Sequence, residues 1–436
     1  MRKLALPLAL LATAPAIAAP DAAVSEARMR ADIDTLVGFG TRHTLSSQTD
    51  RKRGIGAARR WAEAELRKTS RACGNCLEIT LPERMVSGDR IKVPVRLVDV
   101  VAIQRGSERP NEVVIVQGHI DSRVTDVMNA TADAPGANDD GSGVALVLEA
   151  AQVLSRQRFP TTIVYAVLSG EEQGLFGGKL LADYAKAQGW TVKAVLNNDI
   201  VGNSRGSDGL VDDSHVRVFS EGPRGDSTDA VRAAARRYGG ENDSPSRNLS
   251  RFIAGLSGQL LVRQVWRADR MGRGGDHLPF QELGYPAVRF SVAVENYDHQ
   301  HQDLRVENGV TYGDTADQID FPYLAKVTRL NVAALAALAR APMPPKATAE
   351  AAVQTFTDVK WATVPGAVGY AVWRRRTDAR DWEAPLIADA AATSARLQGV
   401  RGDDWIFGVS ARAADGSESP ISSAVPGGDF APLAKP

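Results

Sequence analysis

Two adjacent glutamates at the end of an apolar run are the first residues whose position suggests chemistry. The run TTIVYAVL is followed by a Ser-Gly pair and then by Glu171 and Glu172. Side chains alternate along an extended chain, so we expect the two carboxylates to point to opposite sides. Because neighbouring carboxylates repel each other, at least one of them is expected to lie near a positive group.

Residues with metal-binding side chains also follow other predicted strands. In a parallel α/β sheet, ligands bind beyond the carboxyl ends of the strands, where neighbouring strands end side by side. Four successive strand exits and one further loop supply imidazole or carboxylate groups, which predicts that these groups converge. They are His119 and Asp121 in GHIDS, Asp139 and Asp140 in GANDDGSG, Glu171 and Glu172, Asp199 in NNDIVG, and His299, His301 and Asp303 in NYDHQHQD.

A cluster of this composition predicts a metal centre. Four or five carboxylates packed together would raise one another's pKa values, and a divalent cation removes that repulsion. Imidazole and carboxylate without thiolate favour zinc, with cobalt or manganese as alternatives. One ion needs three or four protein ligands, so this set predicts two ions that share a carboxylate. Asp139, in a glycine-rich loop that opens a helix, is the expected bridge.

The segments around these residues predict an α/β fold. Apolar residues at helical spacing alternate with short β-branched runs, for example the strand NEVVIVQGHI before the helix GSGVALVLEAAQVLSRQ. Such alternation is typical of a largely parallel sheet with helices packed on both faces.

The ordered motifs resemble those of one known family. GHIDS, GANDDGSG, SGEEQGLFG, NNDIVG, GGDHLPF and HQHQD are similar to motifs of the secreted zinc aminopeptidases of the bacterial leucyl aminopeptidase type. That family is related to glutamate carboxypeptidase and glutaminyl cyclase. The resemblance covers roughly residues 30–340, and it implies a three-layer sandwich with a mixed, largely parallel central sheet.

The resemblance implies a role for each of the main motif residues. Glu171 would be the general acid and base, and Asp121 would orient the imidazole two residues before it, as metal-bound histidines require. The metal ligands would be His119 and Asp199 on one ion, Glu172 and a late histidine on the other, and Asp139 between the two.

The late histidine and the pocket wall are less closely defined by the motifs. His299, with Asp303 four residues after it, and His301 are alternatives for the last ligand position. Asp276 and His277, in GGDHLPF, are expected in the wall of the substrate pocket, with a supporting position behind the metal ligands as the alternative for His277, rather than as ligands themselves.

The implied activity is that of an aminopeptidase with two zinc ions per chain, acting on peptides with a free N-terminus. The arginines of RADRMGRGGDH leave a carboxypeptidase open, because guanidinium groups bind carboxylates well. An aminoacyl cyclase would need only one metal, and the full ligand set argues against it. The alternative from another class is a non-catalytic binding protein on a peptidase scaffold, although such proteins usually lose ligands.

The whole chain indicates an exported protein. Lys+Arg and Asp+Glu both number 52, so no basic field predicts a nucleic-acid partner. Residues 1–19 resemble a signal peptide, which predicts a periplasmic or extracellular location, and no later segment has the apolar length of a membrane span. In an oxidising compartment, Cys73 and Cys76 are expected to form a disulfide rather than a redox motif or half a zinc site.

The last quarter of the chain has a different pattern. After a peptidase domain at residues 20–341, the proline-rich stretch predicts a linker at 342–350. Short alternating runs with aromatic residues then resemble a fibronectin type III-like β-sandwich at 351–426, followed by a tail at 427–436. This module is expected to contact a polymer or a surface, or to shield the edge of the active site.

Overall fold

The computed structural model describes residues 20–433 of the 436-residue chain. The predicted signal peptide at residues 1–19 lies outside the described residues. In the part described, no helix is both long enough and apolar enough to cross a membrane. Cys73 and Cys76 form a disulfide directly after the second helix.

Helices and β-strands alternate through the first three quarters of the described chain, and strands with one short 3-10 turn, Gly402–Asp404, follow. The helices are α1 Glu26–Gly38, α2 Ile55–Ala72, α3 Gly141–Leu154, α4 Phe176–Ala187, α5 Asp229–Tyr238, α6 Pro245–Gly255, α7 Leu278–Glu282 and α8 Phe321–Arg340. The strands are β1 Glu78–Thr80, β2 Glu83–Gly88, β3 Ile91–Val98, β4 Val100–Gln104, β5 Arg109–His119, β6 Thr161–Leu168, β7 Thr191–Asn198, β8 His215–Ser220, β9 Leu261–Val265, β10 Ala287–Val292, β11 Arg305–Glu307, β12 Val310–Tyr312, β13 Ala347–Glu350, β14 Phe356–Trp361, β15 Gly369–Arg376, β16 Leu386–Asp389, β17 Ser394–Gln398, β18 Trp405–Arg412 and β19 Ser422–Ser423.

The central sheet is mixed, which confirms the predicted fold class. Its eight strands lie in the order β1-β4-β6-β5-β7-β10-β8-β9. The middle of the sheet is parallel, from β6 through β5 and β7 to β10. Strands β4 and β8 run antiparallel to their neighbours β6 and β10.

Helices cover both faces of this sheet, and the alternation of side chains along β5 explains why. Val114 and Val116 belong to one apolar core, together with residues of α1, α3 and α8. Val113 and Ile115 belong to the other core, together with residues of α4 and α7. A strand whose side chains are buried on both faces reads as a continuous apolar run, as β5 to β7 do.

The ends of several helices are set by local sequence. The Asp140 carboxylate accepts a hydrogen bond from the amide of Gly143 at the start of α3. Ser244 caps α6 in the same way, and Pro245 occupies the first helical position, where its missing N–H costs nothing. The cap of α3 matters for function because it lies beside the predicted bridging residue.

The C-terminal module is a small all-β sandwich. One sheet has the order β13-β14-β17 and the other β16-β15-β18-β19, and their inner faces enclose Trp361, Tyr370 and Phe407. Strand β13 lies within the stretch predicted as linker, because Ala347–Glu350 pairs along its length with β14. The similarity to fibronectin type III modules stays a prediction.

Candidate active site

Parallel strands bring the predicted site residues to one edge of the sheet. His119 is the last residue of β5, Glu171 and Glu172 follow β6, and Asp199 follows β7. Two groups of possible metal ligands result, and within each group the ligand atoms lie within 4.8 Å of one another. The first group is His119, Glu171 and Asp199, and the second is Asp139, Glu172 and His301.

Asp139 lies between the two groups. Its Oδ1 atom is 3.2 Å from Nε2 of His119, and its Oδ2 atom is 2.8 Å from Nε2 of His301. The same nitrogen of His301 is 3.1 Å from Oε1 of Glu172, and that of His119 is 3.8 Å from Oδ2 of Asp199. One carboxylate therefore faces both histidines, each with a different oxygen.

Asp121 holds the turn that carries both glutamates. Its carboxylate accepts hydrogen bonds from the main-chain N–H groups of Gly170, Glu171 and Glu172. The ring of His119 is oriented mainly by the main chain of Asp121, since Nδ1 lies 3.0 Å from its carbonyl oxygen and 3.6 Å from its carboxylate. Asp121 thus links the β5 exit to the β6 exit.

Two further buried carboxylates fix the loop of Asp139. Asp140 accepts hydrogen bonds from the amides of His119 and Ile200, in addition to its cap of α3. Asp314 accepts from the amide of Asp139, and burial raises the pKa of Asp314 to about 7. The bridging residue is therefore held from two sides.

Each outer carboxylate of the site has an arginine on one oxygen. Arg289 lies 2.7 Å from Oδ1 of Asp199, whose Oδ2 faces His119. Arg123 lies 2.9 Å from Oε2 of Glu172, whose Oε1 faces His301. Burial opposes the charge of Asp199, but Arg289 and His119 together outweigh this effect, and the pKa of Asp199 lies below its ordinary value.

The donors suit a metal ion in each group. Oε1 of Glu172 is buried and accepts no hydrogen bond from residues 20–433, which is costly for a carboxylate oxygen unless a cation binds it. Burial raises the pKa of Glu171 well above its ordinary value, and the charges of Asp199 and Glu172 add to this effect. Imidazole nitrogens and carboxylate oxygens together are ligands that zinc accepts.

A cavity of about 430 Å³ opens over both groups. Asp139, Glu171 and His301 line it, and so do arginines from three separate loops. Leu175 and several glycines complete the wall. A peptide that entered this cavity would meet all the candidate ligands except His119, which lies beneath them.

Three predicted residues lie away from this cavity. His299 belongs to neither group of ligands and does not line the cavity. Asp276 and His277 are buried, at 1% and 0% exposure, and do not line the cavity, so of the two positions predicted for His277 the structure has the one behind the ligands. Asp276 instead accepts a hydrogen bond from the amide of Gly178 in α4, where any side chain would strike it, and Nε2 of His277 lies 2.8 Å from the Ala268 carbonyl.

Sequence reasoning missed several residues that shape the site. Arg289 stands alone as a charged residue in the otherwise apolar strand AVRFSV, and that contrast could have marked it. Arg123 follows the GHIDS motif directly. Asp314 lies in a loop without any motif, so no sequence signal marked it.

The comparison with protein families decides the family of this chain. Residues 99–334 match the model of peptidase family M28. The chain belongs to peptidase family M28. This confirms the predicted family and the prediction that the protein is an enzyme, a peptidase. The matched segment begins at the junction of β3 and β4 and ends within α8, so it contains every candidate ligand.

Relatives in fungi are similar over nearly the whole peptidase chain. A probable zinc metalloprotease of Pyricularia oryzae is 44% identical over 422 residues, which covers 93% of this chain and 83% of the relative. Another, from Leptosphaeria maculans, is 42% identical and covers 93% of this chain and 95% of the relative. These matches extend well beyond the M28 segment.

Solved structures share the fold. The LapA aminopeptidase of Legionella pneumophila superposes with a TM-score of 0.52 at 19% identity, covering 74% of each chain. LapB from the same organism gives a TM-score of 0.50 at 18% identity, covering 73% of each chain. At this level of identity, the similarity concerns the fold.

Proposed function

We propose that this M28 peptidase is a zinc aminopeptidase that removes N-terminal residues from peptides. The observation that carries the proposal is the position of Asp139, whose two oxygens face the two histidines of the site at 3.2 and 2.8 Å. A carboxylate in that position could be shared by two ions, as co-catalytic metal sites require. The names of the fungal relatives support zinc as the metal.

The ligand roles follow from the two groups. His119 and Asp199 would hold one zinc ion, Glu172 and His301 the other, and Asp139 both. Bound zinc lowers the pKa of water and polarises a peptide carbonyl. Arg289 and Arg123 hold one oxygen of each outer carboxylate, so that the other oxygen would be available to an ion.

Glu171 is the proposed proton carrier. Both glutamates line the cavity, but Glu172 faces His301, whereas Glu171 lies in the other group of candidate ligands, with His119 and Asp199. In this position the Glu171 carboxylate can take a proton from the attacking water and pass it to the nitrogen of the leaving amine. The hydrogen bonds of Asp121 to the turn keep this carboxylate in place.

A carboxypeptidase is the second candidate, and one observation favours it. Arginines line the same cavity as the candidate ligands, and a C-terminal carboxylate would bind to such groups. The aminopeptidase takes precedence because the catalytic domain shares its fold with structures described as aminopeptidases.

The test combines metal analysis with a substrate panel. We expect about two zinc ions per chain, cleavage of aminoacyl anilides with a free amine, no cleavage of N-blocked versions, and loss of activity with a chelator. Cleavage of N-blocked peptides with acidic C-termini would identify a carboxypeptidase. A chain that binds no metal and cleaves nothing would contradict both enzymatic proposals.

The Glu171→Gln variant tests the proton carrier. The amide cannot accept a proton, so kcat should fall by about 10²- to 10⁴-fold, while the zinc content stays that of the wild type. Gln173→Glu is not a suitable control, because Gln173 is buried beside His43. Glu63→Gln, which changes a partly exposed glutamate of α2 that does not line the cavity, is the control and should retain full activity. An active Glu171→Gln enzyme would show that another group carries the proton.

Export is a separate proposal. It rests on the signal-like residues 1–19 and on the Cys73–Cys76 disulfide, which is typical of proteins that leave the reducing cytosol. Mass spectrometry of the mature N-terminus tests it, since removal of the leader would leave a chain that starts close to Pro20.

A further inference from the structure

The acidic side chains that line the cavity are all candidate metal ligands, and the arginines beside them are not. Among residues 20–433, the acidic side chains of the lining are Asp139, Glu171, Glu172 and Asp199, and all belong to the candidate metal groups. The basic side chains of the lining are Arg90, Arg123, Arg270 and Arg273. Once metal ions neutralise the carboxylates, the remaining wall is positive, which favours an anionic group on the substrate.

Two of these arginines are committed to the site itself. Arg123 donates hydrogen bonds to Oε2 of Glu172 at 2.9 Å and to Nδ1 of His301 at 2.6 Å. Arg90 donates to the main-chain oxygen of Glu172 at 2.8 Å. Both therefore hold a candidate metal ligand in place, and the other two arginines need a separate explanation.

Arg270 is buried with part of its donor capacity unused. Its side chain is 9% exposed. Nε and Nη2 donate to Asp269 and to the carbonyl of Gly274, at 3.2 and 3.1 Å. Nη1 lies 3.5 Å from Glu295 but makes no hydrogen bond to any residue of the described chain. A buried guanidinium N–H without an acceptor is costly, so an acceptor from a ligand is expected.

Arg273 adds a second, more accessible positive charge. Its side chain is 31% exposed, and Nη1 donates to Oε2 of Glu295 at 2.6 Å. The other oxygen of Glu295 is occupied by Arg217, also at 2.6 Å. Glu295 thus faces three arginines. Asp269 faces Arg270 and Arg289, so the arginines beside this wall outnumber these two carboxylates. Gly272, with a φ of +68°, lets the chain turn between the two arginines of the wall.

We infer that Arg270, with Arg273 beside it, binds a carboxylate of the peptide substrate. This inference rests on the proposed peptidase function and adds a substrate class, short or acidic peptides. The carboxylate can come from two sources, the C-terminus of a dipeptide or tripeptide, or an acidic side chain next to the scissile bond. Arginine is the side chain best suited to either, since its planar fork matches the two oxygens.

The experiment compares substrates that differ only in charge. Leu-Gly is compared with Leu-Gly-amide, and Leu-Asp-amide with Leu-Asn-amide. We expect kcat/KM of the wild-type enzyme to be about 10- to 100-fold higher for the charged member of one pair, as charge-assisted hydrogen bonds would give. A preference in the first pair identifies the C-terminal carboxylate as the ligand, and a preference in the second identifies an acidic side chain.

Variants then assign the preference to its residues. Arg270→Gln should raise KM for the charged substrate and leave the amide almost unchanged, whereas Arg270→Lys should keep part of the preference. Arg67→Gln on α2, which removes an exposed arginine far along the chain from the cavity loops, is the matched control and should change neither substrate. If Arg270→Gln fails to fold, two other measurements give the same comparison. The first is the substrate preference of Arg273→Gln. The second is inhibition of the wild type by succinate, compared with its inhibition by succinamide.

The outcomes separate this inference from the proposed function. Equal cleavage of charged and uncharged members in both pairs would overturn the inference and leave the aminopeptidase intact. A preference that survives in both Arg270→Gln and Arg273→Gln would overturn it as well. Absence of zinc and of any cleavage by the wild type would instead refute the proposed function.

Discussion

At the scale of single residues, Asp139 and its two neighbouring carboxylates share one feature. In each of them, the two oxygens face different partners. Asp199 and Glu172 each offer one oxygen to an arginine and the other to the site, and Asp139 offers its two oxygens to two histidines. Each oxygen thus faces an arginine or a histidine, and Oδ2 of Asp139 also accepts a hydrogen bond from Gln300 at 3.1 Å. This division lets three buried carboxylates stand close together without uncompensated charge.

The two late histidines give the sharpest test at this scale. His301→Ala should lose zinc from the second group and reduce kcat/KM by more than about 100-fold, because even residues that only support a ligand contribute 10- to 100-fold. His299→Ala should retain the zinc content and activity of the wild type, since His299 lies outside both groups. Metal analysis of both variants checks this. If His299→Ala lost zinc and His301→Ala did not, the ligand would be His299 and the prediction would be wrong.

The sequence alone could not decide between His299 and His301, and the reason is physical. Residues at strand exits, such as His119 and Asp199, could be predicted to converge because parallel strands end at one edge. NYDHQHQD is an irregular loop with no repeating side-chain direction, so spacing cannot say which histidine turns inward. His301 adopts a φ of 58°, a conformation that spacing does not reveal.

At the scale of elements, the alternation of apolar segments predicted an α/β fold with a largely parallel sheet, and the family resemblance implied that the sheet is mixed. Pairing between distant segments accounts for what differs from the prediction. Ala347–Glu350 was expected to be linker, yet it pairs with β14. Four residues of alternating character carry too little pattern to be recognised as a strand without their partner. Similarly, GGDHLPF was expected either in the pocket wall or behind the ligands, and the close approach of Gly178 to Asp276 places it behind them, under α4.

The junction of β8 and α6 carries a prediction about stability. Glu221 directly follows β8. Its main-chain oxygen accepts a hydrogen bond from the hydroxyl of Ser244, which also caps α6. Its carboxyl group accepts a hydrogen bond from the amide of Gly225 at 3.1 Å. Burial raises the pKa of Glu221 to about 8. The folded protein therefore keeps a proton that the unfolded chain has lost, and stability falls as the pH rises from about 4.5 towards 8.

Replacing this carboxyl by its neutral analogue should remove that pH dependence. Glu221→Gln should be similar to the wild type at pH 5 and gain relative stability as the pH rises to 9, by up to about 1.4 kcal/mol per pH unit within the window. Thermal unfolding at several pH values measures this. The exposed Glu241→Gln is the matched control and should show a constant difference. A constant difference for Glu221→Gln would mean that its carboxyl is ionised in the folded protein.

At the scale of the whole molecule, the C-terminal module packs against the peptidase domain at α6. The buried side chains of Arg375 and Asp243 are joined by hydrogen bonds of 2.6 and 2.7 Å. Asn248 donates to Ser423 at 2.8 Å across the same boundary. Strand β9 follows α6, and the cavity loop with Arg270 follows β9, so the module supports the segment that leads into the cavity wall.

This contact predicts that the two parts unfold together. Asp243→Asn leaves Arg375, and Arg251 at 3.8 Å, without compensation, so it should reduce the free energy of unfolding by about 3–5 kcal/mol. Arg375→Met should cost less, because Arg251 still faces Asp243. Compared with Asp243→Asn, the double variant should recover part of the loss, because Arg375 no longer remains buried without a carboxylate. Denaturant unfolding of the four proteins measures the coupling, and Arg396→Met, which removes a mostly exposed arginine of β17, is the control. Losses below about 1 kcal/mol for both single variants, typical of exposed pairs, would show that the module does not pack on α6 in solution.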